Sequence, residues 1–131
     1  MSDGSVVMAK ILLIEDRMDN AELTRKILLS AGYEVIHAVE AEIGLELAIS
    51  DHPDLILLDL GLPDYDGQTL AGWLHAEPQT ANIPIVAYTA WPEETARQMV
   101  VSYGCAGYIG KPIVKVSAFL ASIASFLKTN Q

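Results

Sequence analysis

Five side chains in this sequence carry chemistry that fits together: Glu15, Asp16, Asp59, Thr89 and Lys111. Each follows a short apolar run. Lys10-Ile-Leu-Leu-Ile14 leads into the acid pair Glu15-Asp16. Leu55-Ile-Leu-Leu58 leads into Asp59, and Gly61 and Pro63 turn the chain directly afterwards. Ile83-Pro-Ile-Val-Ala-Tyr88 leads into Thr89, and Cys105-Ala-Gly-Tyr-Ile109 leads through Gly110 to Lys111 and Pro112. Clustered carboxylates repel and raise one another's pKa unless they share a cation. Hard oxygen ligands partly open to water suit Mg2+. Lys111 can balance charge from the other side and pair with an incoming anion, and Thr89 can donate a hydrogen bond. A metal, a lysine and a hydroxyl around one carboxylate make a site for phosphoryl transfer onto that carboxylate. Singly, each residue has an ordinary role. Asp59 can start a turn, Glu15 and Asp16 can cap a helix, Thr89 can end a strand and Lys111 can be a surface lysine. Only their arrival at one place supports the chemical reading.

That arrival depends on the elements. Leu55 to Leu58 shows no alternation of polar and apolar positions and is too short for a helix. It reads as a central strand buried on both faces of a parallel sheet. Lys10–Ile14 reads the same way, and Glu34–Val39, Ile83–Tyr88 and Cys105–Ile109 supply three more strands. Helices are predicted between and after them. The first covers Asp19–Ala31, with Leu23, Ile27, Leu28 and Ala31 at helical spacing and Gly32 as its stop. The second carries Ile43, Leu45, Leu47, Ala48 and Ile49 and ends before Pro53. The third covers Gln68–Ala76. The fourth opens near Pro92, Glu93 and Glu94 and stops at Gly104. The fifth covers Lys115–Lys128, with Val116, Phe119, Leu120, Ile123 and Leu127 on one face. Five strand–helix alternations imply a doubly wound parallel sheet with right-handed crossovers. The residues just past its strands then share one rim, where open α/β sheets place their ligands.

The chain has 131 residues, enough for one domain with a single core. Residues 1–9 read as a flexible N-terminal extension and 10–128 as the domain. The formal net charge is −9, with only 8 Lys and Arg. No basic patch is available for a nucleic-acid backbone, and an anionic membrane surface is disfavoured. No apolar run is long enough to span a bilayer and no secretory signal is visible. The single Cys105 fits a reducing cytoplasm and the role of a small buried hydrophobe.

The residues that carry chemistry also carry a resemblance. Ile-Leu-Leu-Ile-Glu15-Asp16, Asp54-Leu-Ile-Leu-Leu-Asp59 with Leu62-Pro63 and Asp66-Gly67, Ala87-Tyr-Thr89-Ala90, and Tyr108-Ile-Gly-Lys111-Pro112 occur in the order found in response regulator receiver domains, the CheY-like family. The likeness runs from about Lys10 to Leu127. It is closest to stand-alone, single-domain receivers of the kind used in bacterial cell-fate relays. The resemblance implies a flavodoxin-like (βα)5 fold with strand order 2-1-3-4-5. It implies Asp59 as phosphoacceptor and Mg2+ held by Asp16, Asp59 and the Gly61 carbonyl, with Glu15 acting through water. It implies Lys111 on the phosphoryl group, Thr89 and Tyr108 as the switch, and a cis Lys111–Pro112 bond. The donor would be a sensor histidine kinase or a histidine phosphotransfer protein. The signal would pass to a downstream protein target through the fourth helix, fifth strand and fifth helix, in a monomer or a weak homodimer joined there. Chemistry would be limited to the domain's own phosphorylation and dephosphorylation, and no DNA-binding or catalytic output domain is expected.

Tyr108 lies three residues before Lys111, so on a strand the two face opposite sides. Arg17, beside the acid pair, brings a positive charge that can weaken a metal site. Trp91 can cover the same rim as a packed or partner-facing aromatic. Other motifs fail on spacing. Gly104, Gly107 and Gly110 before Lys111 do not make a phosphate loop, because Pro112 stands where Ser or Thr is needed. Asp64-Tyr-Asp66-Gly67 lacks the first and last ligands of a calcium loop. His37, His52 and His75 show no ligand spacing. A phosphate-independent scaffold, a small aspartate phosphatase and a flavin carrier are the competing classes. The acid after the first strand argues against flavin, and Gly61 argues against the phosphatase.

Overall fold

The computed structural model describes residues 9–60 and 67–129. The expected extension, save Ala9, and Gly61 to Asp66 lie outside those residues. The element order is β1 (Lys10–Ile14), α1 (Met18–Ser30), β2 (Glu34–Ala38), α2 (Ala41–Asp51), β3 (Leu55–Asp59), α3 (Gly67–Ala76), β4 (Ile85–Thr89), α4 (Glu93–Tyr103), β5 (Gly107–Gly110) and α5 (Val116–Thr129). All neighbouring strands pair in parallel, in the order β2-β1-β3-β4-β5. This is the flavodoxin-like arrangement the alternation and the resemblance anticipate.

The unbroken apolar runs are explained by two cores. Leu12, Ile14, Ile56, Leu58, Ile85 and Ala87 face one cluster with Leu70, Ala71 and Leu74 of α3 and Ala41 and Ala48 of α2. Ile11, Leu13, Leu55, Leu57, Val86 and Tyr88 face the other, with Ala21 and Leu28 of α1 and Phe119 and Ile123 of α5. Successive strand residues point to opposite faces, so a sheet covered on both sides needs apolar residues at every position.

Two strands begin later than their residues suggest. Pro84 has no N–H to give the ladder, and β4 starts at Ile85 although the Pro84 carbonyl still accepts from the Ile56 amide at 3.0 Å. Cys105 lies just past the Gly104 cap of α4, and its amide closes that helix end by donating to the Val100 carbonyl at 3.0 Å. With that donor spent, β5 starts at Gly107 and extends to Gly110. Gly104, the α4 cap, takes φ 71°, as such an ending requires.

The helix faces also differ from the apolar spacing. Leu23 is 55% exposed and Ile43 is 37% exposed. The buried stripe of α1 is Ala21, Thr24 and Leu28, and that of α2 is Ala41, Gly44 and Ala48. Small residues let these helices approach the sheet closely. A Cβ on Gly44 would sit 2.7 Å from Ile14 Cδ1. On α5 the face holds at Phe119 and Ile123, whereas Val116 stays 47% exposed. No described helix is long and apolar enough to cross a membrane.

Candidate functional site

The sheet's carboxyl rim gathers the predicted residues. Glu15 follows β1 directly and is anchored from both sides of its peptide. Its amide donates to the Ala38 carbonyl at 2.9 Å, and its carbonyl lies 2.7 Å from His37 Nε2. Asp59 is the last residue of β3 and pairs with Tyr88 across the ladder. Thr89 is the last residue of β4 and not the first beyond it. The Lys111 amide donates to the Thr89 carbonyl at 2.8 Å, which carries the β4–β5 pairing one residue past Gly110. Sheet hydrogen bonds thus place every one of these side chains except that of Asp16, which is set by the turn after Glu15.

Ligand oxygens of Glu15, Asp16 and Asp59 all lie within 4.8 Å of one another. Glu15 is fully buried and the two aspartates are partly exposed. The Lys111 ammonium donates to Glu15 Oε1 at 2.6 Å and stands 3.6 Å from Asp59 Oδ2. Burial, then a hydrogen bond with the Asp59 carboxyl group, push Glu15 up to about 7, against the pull of Lys111. Neither acid of the pair caps α1: its N-cap is Arg17, which makes no side-chain cap bond. The Arg17 guanidinium pairs with Asp19 at 3.7 Å, and its amide donates to Glu15 Oε2 at 3.3 Å. Its charge is therefore partly answered by Asp19.

Thr89 is buried, and its Oγ1 accepts from the Trp91 amide at 3.0 Å. That contact uses an acceptor lone pair and leaves the hydroxyl able to donate. Trp91 itself is 42% exposed. Gly110 stands opposite Thr89 in the ladder, and a Cβ there would meet no heavy atom within 4 Å. Tyr108 pairs with Ala87 and packs on the α2–α3–α4 core, whereas Lys111 Nζ lies 4.8 Å from the Tyr88 ring centre, on the α1–α5 side. The expected opposition of Tyr108 and Lys111 is present. The Lys111–Pro112 bond is cis. The Gly61 carbonyl lies outside the described residues.

Two contributors were missed in the sequence. Tyr88 offers its ring to the lysine and its hydroxyl to Thr24 at 3.0 Å, inside the core. Its position just before Thr89 in an alternating strand was the available signal. His37 had none, because its contact to Glu15 crosses from β2 to β1.

A family model described as the response regulator receiver domain matches residues 11–124, and the chain belongs to that family. Receiver domains are signalling proteins and not metabolic enzymes, and they generally pair with histidine kinases and downstream targets. Among its relatives is the polar-differentiation response regulator DivK of Brucella ovis, 35% identical over 117 residues, which are 89% of this chain and 94% of that protein. DivK of Brucella anthropi is 34% identical over the same shares. Among solved structures, a putative response regulator from Chloroflexus aurantiacus J-10-fl superposes with TM-score 0.86 at 28% identity, over 92% of this chain and 98% of its own. The receiver domain of the sensor histidine kinase PA1611 from Pseudomonas aeruginosa PAO1, described with a magnesium ion coordinated in its active-site cleft, superposes with TM-score 0.84 at 26% identity, over 92% and 98%.

Proposed function

We propose that this receiver accepts a phosphoryl group on Asp59 from a phosphohistidine, in a Mg2+-dependent reaction, and that the modified state is read by a downstream protein. The donor is a sensor histidine kinase or a histidine phosphotransfer protein. The observation that carries this reading is the carboxylate trio with the Lys111 ammonium 2.6 Å from Glu15 and 3.6 Å from Asp59.

The donor set fits the ion. Three hard oxygen donors, one buried and two partly open to water, suit a cation that keeps part of its hydration shell. Asp16 and Asp59 would hold it directly, with the Gly61 carbonyl, and Glu15 through water. The magnesium of the PA1611 receiver supports this assignment. When bound, Mg2+ neutralises the acid cluster and the oxygens of an incoming phosphoryl group. An Asp59 carboxylate oxygen attacks phosphorus, the P–N bond of the donor breaks, and its electron pair returns to the imidazole. Lys111 turns from Glu15 toward the new phosphoryl oxygens, a short move because it already lies close to Asp59. The Thr89 hydroxyl donates to the same group. The open space beside Gly110, opposite Thr89, gives Tyr108 room to change rotamer on that face.

The change then reaches the surface formed by α4, β5 and α5, where a downstream partner, or weakly a second copy, binds. The domain handles only its own phosphoryl group, works in the cytoplasm and occupies residues 10–128. Incubation with acetyl phosphate and Mg2+ tests the reading by intact mass. One phosphoryl group should appear on the native chain and none on Asp59→Asn. An unchanged native mass, or equal gain by the variant, overturns it.

A further inference from the structure

A groove of about 540 Å3 lies between α2 and α3, lined by Glu42, Leu45, Glu46, Trp73, Ala76 and Glu77. Its volume falls in the range of binding clefts. Its floor is apolar and partly rigid, since Leu45 and Trp73 pack on the core beneath. Every ionisable group that lines it is a carboxylate. An aromatic ring with three acids around it selects a cation. The ring quadrupole attracts positive charge through its face, and the carboxylates add a field of the same sense.

We propose that the α2–α3 groove is a docking site for a basic segment of a protein partner, with one lysine or arginine side chain held against Trp73 between Glu42, Glu46 and Glu77. Charge complementarity selects this occupant. The chain's net charge is −9, so a nucleic acid or an anionic membrane would meet repulsion. A second copy would set one acidic rim against another. The apolar floor favours a segment whose cation is flanked by aliphatic residues over a bare hydrated ion. None of the lining residues belongs to α1, α4, β5 or α5. Docking here therefore leaves those elements uncovered, and a partner can stay bound in either phosphorylation state. The proposal goes beyond phosphoryl transfer and does not depend on it.

The chain contains two tryptophans, Trp73 and Trp91. Their indole N–H signals in a 15N-labelled sample give a probe and its internal control. The ligand for the test is a soluble amphipathic peptide of arginine and leucine. The Trp73 signal should shift saturably while the Trp91 signal stays in place, and the glutamine–leucine analogue should shift neither. Trp73→Leu, which keeps an apolar side chain and removes the ring, should weaken binding roughly fivefold when read by calorimetry, since the variant lacks the indole probe. Glu42→Gln with Glu46→Gln should weaken it by about fivefold to tenfold. Asp59→Asn should leave it unchanged, which separates this site from the phosphoryl site. Equal shifts of both indoles, or binding retained within about twofold by the double glutamine variant, overturn the proposal. So does spermidine matching the peptide, which would make this a small-cation site. A dimer of the free chain that Trp73→Leu dissociates overturns it in favour of a second copy.

Discussion

Lys111 and Glu15 stand 96 residues apart in the chain, yet the lysine ammonium lies 2.6 Å from the glutamate's carboxylate. Glu15 is fully buried and Lys111 is largely so. A charged pair this enclosed is stable only if each partner answers the other, and removal of one leaves an uncompensated charge. Lys111 also lies 3.6 Å from Asp59. It is held in place by Glu15 while remaining close to the proposed phosphoacceptor.

Replacing the lysine should separate its two contacts. Lys111→Met keeps the aliphatic stem over Tyr88 and removes the charge. Phosphorylation of this variant by acetyl phosphate should slow on the order of a hundredfold, because a positioned charge at a developing anion is worth several kcal/mol. Single-turnover rates followed by intact mass check this. A variant as fast as the native chain would show that Lys111 serves only Glu15.

The Glu15 shift has a pH consequence with a definite sign. Its pKa in the folded chain is raised from an ordinary 4.5 to about 7. The folded state therefore binds a proton more readily than the unfolded one. That contribution is fully present below about 4.5 and is lost as pH rises through about 7. Without divalent metal, urea stability should fall from pH 5.5 to pH 8 by no more than about 3 kcal/mol. Added Mg2+ should reverse the fall at pH 8, and its apparent affinity should rise across the same interval, because a carboxylate that holds the ion through water does so best once it has lost its proton. A flat profile, or Mg2+ binding independent of pH, would contradict the account.

The Thr24 and Tyr88 hydroxyls pair at 3.0 Å in the interior, where both residues are buried. Burial pushes the Tyr88 phenol above its usual pKa. Thr24→Val should cost about 1–3 kcal/mol, because it leaves the tyrosine hydroxyl without its partner. Adding Tyr88→Phe to that variant should cost much less than Tyr88→Phe alone. Thermal denaturation of the four proteins closes the cycle, and simple additivity would show that the bond contributes little.

Cys105 should be chemically quiet. Burial pushes its thiol up to about 11. At pH 8 the thiolate is then roughly one part in a thousand, and the thiolate is the nucleophile. Alkylation of the native chain should be slower than that of the urea-unfolded chain by about a hundredfold or more. Equal rates would mean that the thiol is neither shielded nor shifted.

Much of this was visible in the residues alone. Runs such as Leu55–Leu58 with no polar alternation required strands covered on both faces, and five strands alternating with five helices required a parallel sheet with its functional ends on one rim. Glu15, Asp16, Asp59, Thr89 and Lys111 followed, because each sits at or just past such a run. The facing of Tyr108 away from Lys111 followed from strand periodicity. Tertiary structure decided what depends on donors and surfaces from distant segments. Cys105 reads as strand, but its amide serves α4, a competition that local propensity does not reveal. Leu23 and Ile43 lie at apolar spacing, yet the sheet selected the smaller Ala21 and Gly44 faces, since close packing rewards fit over hydrophobicity. The partnership of Lys111 with Glu15 and Tyr88 belongs here too, because contacts across the sheet depend on register and on side-chain geometry, which no local stretch of sequence records.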